Sequence, residues 1–126
     1  MNGICLMAGL LVAVLDDTVT LAWTHSIQKT VWEEDYRREG NVLRLTEARV
    51  RGTGAGMEPP QSAVLKQGVW HYVPALPTLP SVQLRHSPYT AGYRICSRDW
   101  CQLVTEWLPG LPEETVISLA PCPPSD

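Results

Sequence analysis

The sequence predicts an all-β protein, a small antiparallel β-sandwich or barrel with a glycine-rich loop and a disulfide-clipped hairpin, and three observations predict it. Eleven prolines and nine glycines are spread through 126 residues, too many breakers for a helical bundle and suited to short strands joined by turns. Apolar and polar residues alternate with a period of two in the clearest segments, as they do in half-buried strands. No stretch holds a helical period over three turns; the best candidate for helix is a single turn near residues 110–114. A chain of this length is expected to form one domain, residues 1–122, followed by a short tail at 123–126.

Taken in order, residues 4–15 form an apolar run, ICLMAGLLVAVL. It has the length of a signal-peptide core and is too short to span a bilayer. No basic residue precedes it, no small-x-small cleavage site follows it, and Ala8-Gly9 interrupts it as a hairpin turn would. Two strands are therefore expected, over 4–7 and 10–15. On that reading the export signal lies upstream, removed or left out of this chain, and Met1 is expected to derive from cloning. Residues 18–27 are the clearest strand: Val19, Leu21, Trp23, His25 and Ile27 share one face, while Thr18, Thr20, Thr24 and Ser26 share the other. Gln28-Lys29 is read as a two-residue turn, residues 30–38 as the returning strand, and Glu39-Gly40-Asn41 as a second tight turn. Within 42–51, Leu43 and Leu45 hold one phase and Ala48 and Val50 the other, which calls for a bulge near Thr46-Glu47.

After the glycine-rich segment 52–60, residues 64–73 read as a strand or irregular edge with Gly68 inside it. Three prolines within 74–80 imply an extended crossing between sheets. Short strands are expected over 82–85, 93–96, 101–107 and 115–119.

The formal net charge is −3 with ten basic residues scattered, so no basic face is offered to a phosphate backbone and nucleic acid is not an expected partner. Gly52, Gly54 and Gly56 imitate a nucleotide fingerprint, but Glu58-Pro59-Pro60 forbids the helix start that would hold phosphate. No cofactor and no transmembrane segment are expected.

Four cysteines bear on the compartment. Cys96 and Cys101 have the spacing of a pair clipping a tight hairpin, and Cys5 and Cys122 lie near the chain ends, which are often adjacent. Zinc held by His71, His86, Cys96 and Cys101 is the competing reading, and simple buried thiols are a third. Disulfides imply an oxidising compartment and hence a periplasmic or secreted protein.

The unusual polar residues lie on the first long hairpin. A two-residue turn at Gln28-Lys29 sets His25 opposite Trp32, Trp23 opposite Glu34 and Leu21 opposite Tyr36, so one face gathers His25, Trp32, Glu34 and Tyr36. A buried carboxylate and imidazole must be paired or hydrogen-bonded. Three readings stay open: a structural network that fixes register, the lining of a ligand or partner site, and catalysis. Ser26 points away from His25, which spoils a nucleophile–base pair.

The stretch T-H-S-I-x-K-T-x-W-E-E-x-Y, the later G-x-G-A-G-M-E-P-P loop and Tyr93-Arg94-Ile95-Cys96 with Cys101 together resemble the bacterial family called domain of unknown function 1850. The likeness runs from about Cys5 to Cys122. The resemblance marks His25, Ser26, Glu34, Tyr36, Gly54, Ala55, Gly56, Cys96 and Cys101, and it implies an exported protein often encoded beside, or fused to, TRAP-type transporter components with TAXI-type solute receptors. It implies no chemistry. The leading expectation is thus a non-catalytic accessory protein whose partner is a TRAP-type component or its solute receptor. The alternatives are a free-standing ligand-binding module and, behind it, a hydrolase using Glu34 and His25 as general acid and base.

Overall fold

The computed structural model describes residues 2–24, 30–51, 62–74, 78–90 and 92–124. They build an all-β fold of two antiparallel sheets packed over one core. The apolar run at the start folds as expected into a hairpin, β1 (Ile4–Ala8) and β2 (Leu11–Leu15), turning at Gly9-Leu10 with Gly9 at φ +59°. Period two decides its faces. Leu11, Ala13 and Leu15 face the core, whereas Val12 and Val14 face water. Strand β1 also pairs with β12 (Thr115–Pro121), which in turn pairs with β9 (Val82–His86), so the small sheet runs β2-β1-β12-β9 among the described residues.

The larger sheet is a meander extended at both sides. Strands β3 (Thr18–Thr24), β4 (Val31–Glu39) and β5 (Val42–Arg51) form its centre. Beyond β5 lies a hairpin, β7 (Val69–Tyr72) and β6 (Val64–Lys66), and beyond β3 lies the hairpin β10 (Arg94–Ser97) and β11 (Trp100–Leu103). The two-residue β8 (Thr78–Leu79) pairs with the start of β5, and residues 75–77 of the expected extended crossing lie outside the described residues.

Three expectations are corrected. Residues 64–73 are two strands rather than one, because Gln67 (φ +52°) and Gly68 (φ +79°) both take the left-handed conformation that a tight hairpin turn requires. Residues 104–107 are a helical turn, α1 (Val104–Trp107), and not a continuation of β11. The helical turn expected near 110–114 is therefore earlier, at a point where Val104 is fully buried, its N–H bonds the Tyr93 carbonyl, and the Glu106 carboxylate accepts the Leu103 N–H. Third, β3 and β4 pair two residues out of the expected register: Trp23 faces Trp32, Leu21 faces Glu34 and Val19 faces Tyr36. The connecting residues 25–29, with the turn expected at Gln28-Lys29, lie outside the described residues. A slip of two, unlike a slip of one, leaves every side chain on its expected face. The bulge in β5 is as expected: Tyr36 faces Leu45 and Asp35 faces Glu47, leaving Thr46 as the extra residue.

The core forms where the sheets overlap. Ile4, Leu6, Leu15, Ile117 and Leu119 of the small sheet meet Val19, Leu21, Tyr36, Leu43, Leu45 and Ile95 of the large one, with Val104 and Leu108 closing one side. Gly3 pins the edge of this arrangement. At φ +100° a Cβ would stand 2.4 Å from the Leu15 carbonyl oxygen, so only glycine fits. The Gly3 carbonyl accepts from the Cys122 N–H at 3.1 Å and from Arg38 Nη1 at 2.8 Å, joining both sheets.

Both disulfides are formed, Cys5–Cys122 and Cys96–Cys101, and no described cysteine is free. The zinc alternative falls, since Cys96 and Cys101 are spent on each other as directly opposed residues of β10 and β11. The first bridge spans 117 positions and the second five; loop-closure entropy assigns them about 5 and about 2 kcal/mol respectively. Cys5 and Cys122 are each only 2% exposed, whereas Cys101 faces water. Graded reduction of the folded protein should therefore open Cys96–Cys101 first and leave Cys5–Cys122 intact until the fold itself opens. Alkylation and mass mapping of partly reduced protein reads the order. Simultaneous loss of both bridges would mean that the terminal one is not shielded.

Candidate functional site

The two faces of the large sheet carry different chemistry, because each strand sends alternate side chains to opposite sides. On the outer face the partners are charged. Asp35 of β4 is gripped by Arg49 of β5 through two hydrogen bonds, Nη1 to Oδ2 at 2.6 Å and Nη2 to Oδ1 at 2.7 Å, and it accepts the Thr20 hydroxyl at 2.7 Å. Arg49 also donates to Glu47 Oε1 at 3.0 Å, the same oxygen that lies 2.8 Å from His71 Nδ1 of β7. Glu33 completes the row, 3.7 Å from Arg49 Nε and 3.8 Å from Arg51 Nε. Burial pushes the Asp35 carboxyl up, but the Arg49 and Thr20 hydrogen bonds outweigh it and hold it below the usual carboxylate range. Glu47 is held low by its hydrogen bond with His71 and by Arg49, against a smaller effect of burial.

Depressions open on this face, among them one of about 400 Å³ beside Thr20, Asp35, Arg37 and Arg98, and one of about 770 Å³ beside Glu33, Arg49, Lys66 and His71. Their charges are largely matched: Arg98 pairs with Asp16, and Arg49 serves three carboxylates. The network ties β3, β4, β5 and β7 together, and that structural role accounts for it.

The inner face holds the residues that the sequence singled out. The register places Leu21, Glu34, Ala48 and Tyr72 in one cross-strand row, and Trp23, Trp32, Val50 and Trp70 in the next. Ala48 and Val50 are buried beneath this strip, while Trp23, Trp32, Trp70 and Tyr72 are half-buried. The Trp23 and Trp32 rings stack with centroids 6.0 Å apart and planes within 6°, and Tyr93 tilts against Trp23 at 6.1 Å, spacings at which aromatic pairs attract. Glu34 sits at the border between the aromatic strip and the core. Its Oε1 accepts the hydroxyl of the buried Tyr36 at 2.9 Å.

No cation among the described residues faces this carboxylate, in contrast to every carboxylate of the outer row. Burial raises the Glu34 carboxyl above its ordinary range, and the Tyr36 hydrogen bond offsets only part of that. The same proximity acts on the phenols. Burial and then the Glu34 charge raise both Tyr36 and Tyr72, so neither ionises near neutral pH. Chemically, the arrangement presents a desolvated acceptor beside aromatic faces, suited to an ammonium, a guanidinium or a polar ring.

Of the residues expected to form a site, Trp32, Glu34 and Tyr36 do share this face. His25, Ser26, Gly54, Ala55 and Gly56 lie outside the described residues, as does the first glycine of the loop. Trp23, Trp70 and Tyr72 were not foreseen as members. The alternation of Trp70 and Tyr72 within VWHY could have marked them as sharing a face, but nothing local tells that β7 lies next to β5. Among the described residues no three His, Cys, Asp or Glu side chains gather as a metal site, and no described helix is long and apolar enough to cross a membrane.

Because the folded-state value of Glu34 is raised, its ionisation opposes folding. Below the ordinary carboxylate range Glu34 is protonated in both states and opposes nothing; as pH rises through that range and on through the higher folded value, stability is lost. Glu34→Gln keeps the shape and the acceptor for Tyr36 without the charge. The variant should therefore melt above wild type at pH 7–8, by a few degrees at most, with the gap closing towards pH 4. A variant that melts below wild type at neutral pH would show that the carboxylate stabilises the fold.

Compared with known families, the chain matches the one described as Domain of unknown function (DUF1850) over residues 19–103, about two thirds of its length, from the start of β3 to the end of β11. No curated protein and no solved structure matches it.

Proposed function

Because this chain belongs to the family of domain of unknown function 1850, which carries no assigned chemistry, its role is read from its own surface, and we propose that it is a non-catalytic binding or accessory domain of the periplasm that recognises its partner through the aromatic strip around Glu34. The observation that carries this reading is the Glu34 carboxylate itself. It is partly desolvated and receives one neutral hydroxyl as its donor among the described residues. A purely structural position would favour glutamine or an apolar residue there, since removing a poorly compensated charge usually stabilises a fold. Retaining the charge is consistent with a recognition role, in which a cationic group of the partner completes the pair.

The partner class that best suits an exported member of this family is a TRAP-type transporter component or its TAXI-type solute receptor, as the resemblance in the sequence implies. Two disulfides are in keeping with work outside the cytoplasm. A second reading, a free-standing module for a small organic cation, draws on the parallel stacking of Trp23 and Trp32 beside the same carboxylate.

Tyr36→Phe separates structure from recognition. Tyr36 is buried and its hydroxyl bonds only Glu34 among the described residues, so the variant should lose about 1–2 kcal/mol and remain folded. Folded Tyr36→Phe and Glu34→Gln proteins should each lose at least tenfold in capture of the transporter component, and should fail to restore solute uptake in cells lacking the wild-type protein. Full capture and uptake by both variants would return the cluster to a purely structural role.

A further inference from the structure

The sheet edges of this fold are not equally protected. Strand β9 carries Arg85 and His86, β6 is three residues long and ends in Lys66, and β11 is clipped by its disulfide and turns into α1 after four residues. These are the usual means by which an edge is kept from pairing with another chain. Strand β2 has none of them. Leu11, Val12, Ala13, Val14 and Leu15 include no charge and no proline, and β2 pairs only with β1 among the described residues. Val12 and Val14 are each 56% exposed on the outer face.

The sequence of this edge also reads the same in both directions, L-V-A-V-L. An antiparallel pairing about a twofold axis at Ala13 opposes residue i to residue 26 − i. Leu11 then meets Leu15 of a second copy, Val12 meets Val14, and Ala13 meets itself. Each opposed pair matches in size and in face: the leucines lie on the core side and the valines on the outer side, where β-branched cross-strand pairs are favourable. Charge selects the same direction. Asp16 and Asp17 follow β2 directly; antiparallel pairing sends the two acidic pairs to opposite ends of the contact, whereas parallel pairing would set them side by side.

We infer that β2 is a self-association edge, at which two copies join their small sheets into one continuous sheet, β9-β12-β1-β2 meeting β2-β1-β12-β9. A five-residue strand offers only about 17 Å of pairing, a narrow contact beside the roughly 1,200–2,000 Å² that stable specific interfaces bury. The dimer is therefore a weak one that depends on concentration.

Sedimentation velocity of the whole chain from about 10 μM to about 1 mM should show a monomer–dimer equilibrium. Val12→Lys with Val14→Lys should weaken it at least tenfold. Val116→Lys should leave it unchanged, because Val116 is 51% exposed on the same outer face but belongs to β12, two strands in from the edge. Circular dichroism of each variant confirms folding, and concentration-dependent amide protection of residues 11–15 in the unaltered protein tests the same edge without substitution. A monomer at about 1 mM, or no gain in protection at β2 with concentration, would overturn the inference. So would equal loss in the Val116→Lys variant, which would assign association to stacking of the outer face.

Discussion

The extra residue at Thr46 decides which side chains of the large sheet meet the core and which meet the aromatic strip. Strand β5 contributes Leu43 and Leu45 at one end and Ala48 and Val50 at the other, all buried and all needed on the inner face. These two pairs are out of phase, so an unbroken strand would turn one of them to water. Inserting Thr46 opposite the Asp35–Tyr36 step brings both onto the same side, and the Thr46 hydroxyl donates to the Asp35 carbonyl at 3.2 Å. With the phase thus reset, Tyr36 and Glu34 lie on either side of the junction. One belongs to the core between the sheets, the other to the strip that runs beyond it.

This position sets the Glu34–Tyr36 pair apart from the charged pairs of the outer face. On the outer face, charge meets charge, and Arg49 alone answers three acids. Such a network fixes register and needs no further partner. On the inner face the acid is answered by a hydroxyl whose own carrier is locked in the core, so Tyr36 cannot move without disturbing Val19, Leu45 and their neighbours. A group bound at Glu34 would thus feel a rigid floor, with tryptophans as its walls.

Much of this was legible in the sequence because the signals were local. Period two placed Trp32, Glu34 and Tyr36 on one face, the phase change within 42–51 marked the bulge, and cysteine spacing pointed to the clipped hairpin. What could not be read were relations across long separations. The register of β3 against β4 could not be read from period two alone, and a two-residue error in it still preserved the faces. The pairing of β7 with β5, which brings Trp70 and Tyr72 to the strip, leaves no trace in either strand. The turn at Val104–Trp107 is shorter than two helical periods, so amphipathicity had no room to show; its cause is the hole that Val104 fills.

The pairing of β1 with β12 has a bearing on how the molecule comes to be folded. The second neighbour of β1 lies at residues 115–121, so a chain made from its N-terminus holds the β1–β2 hairpin, apolar on both sides, without that neighbour until β12 has emerged. The meander β3–β4–β5 can assemble meanwhile from neighbours in sequence. The small sheet cannot, and long-range pairing of this kind is slow. Formation of the Cys5–Cys122 bridge therefore waits for β12, and truncation anywhere before β12 leaves the apolar β1–β2 hairpin without its second neighbour.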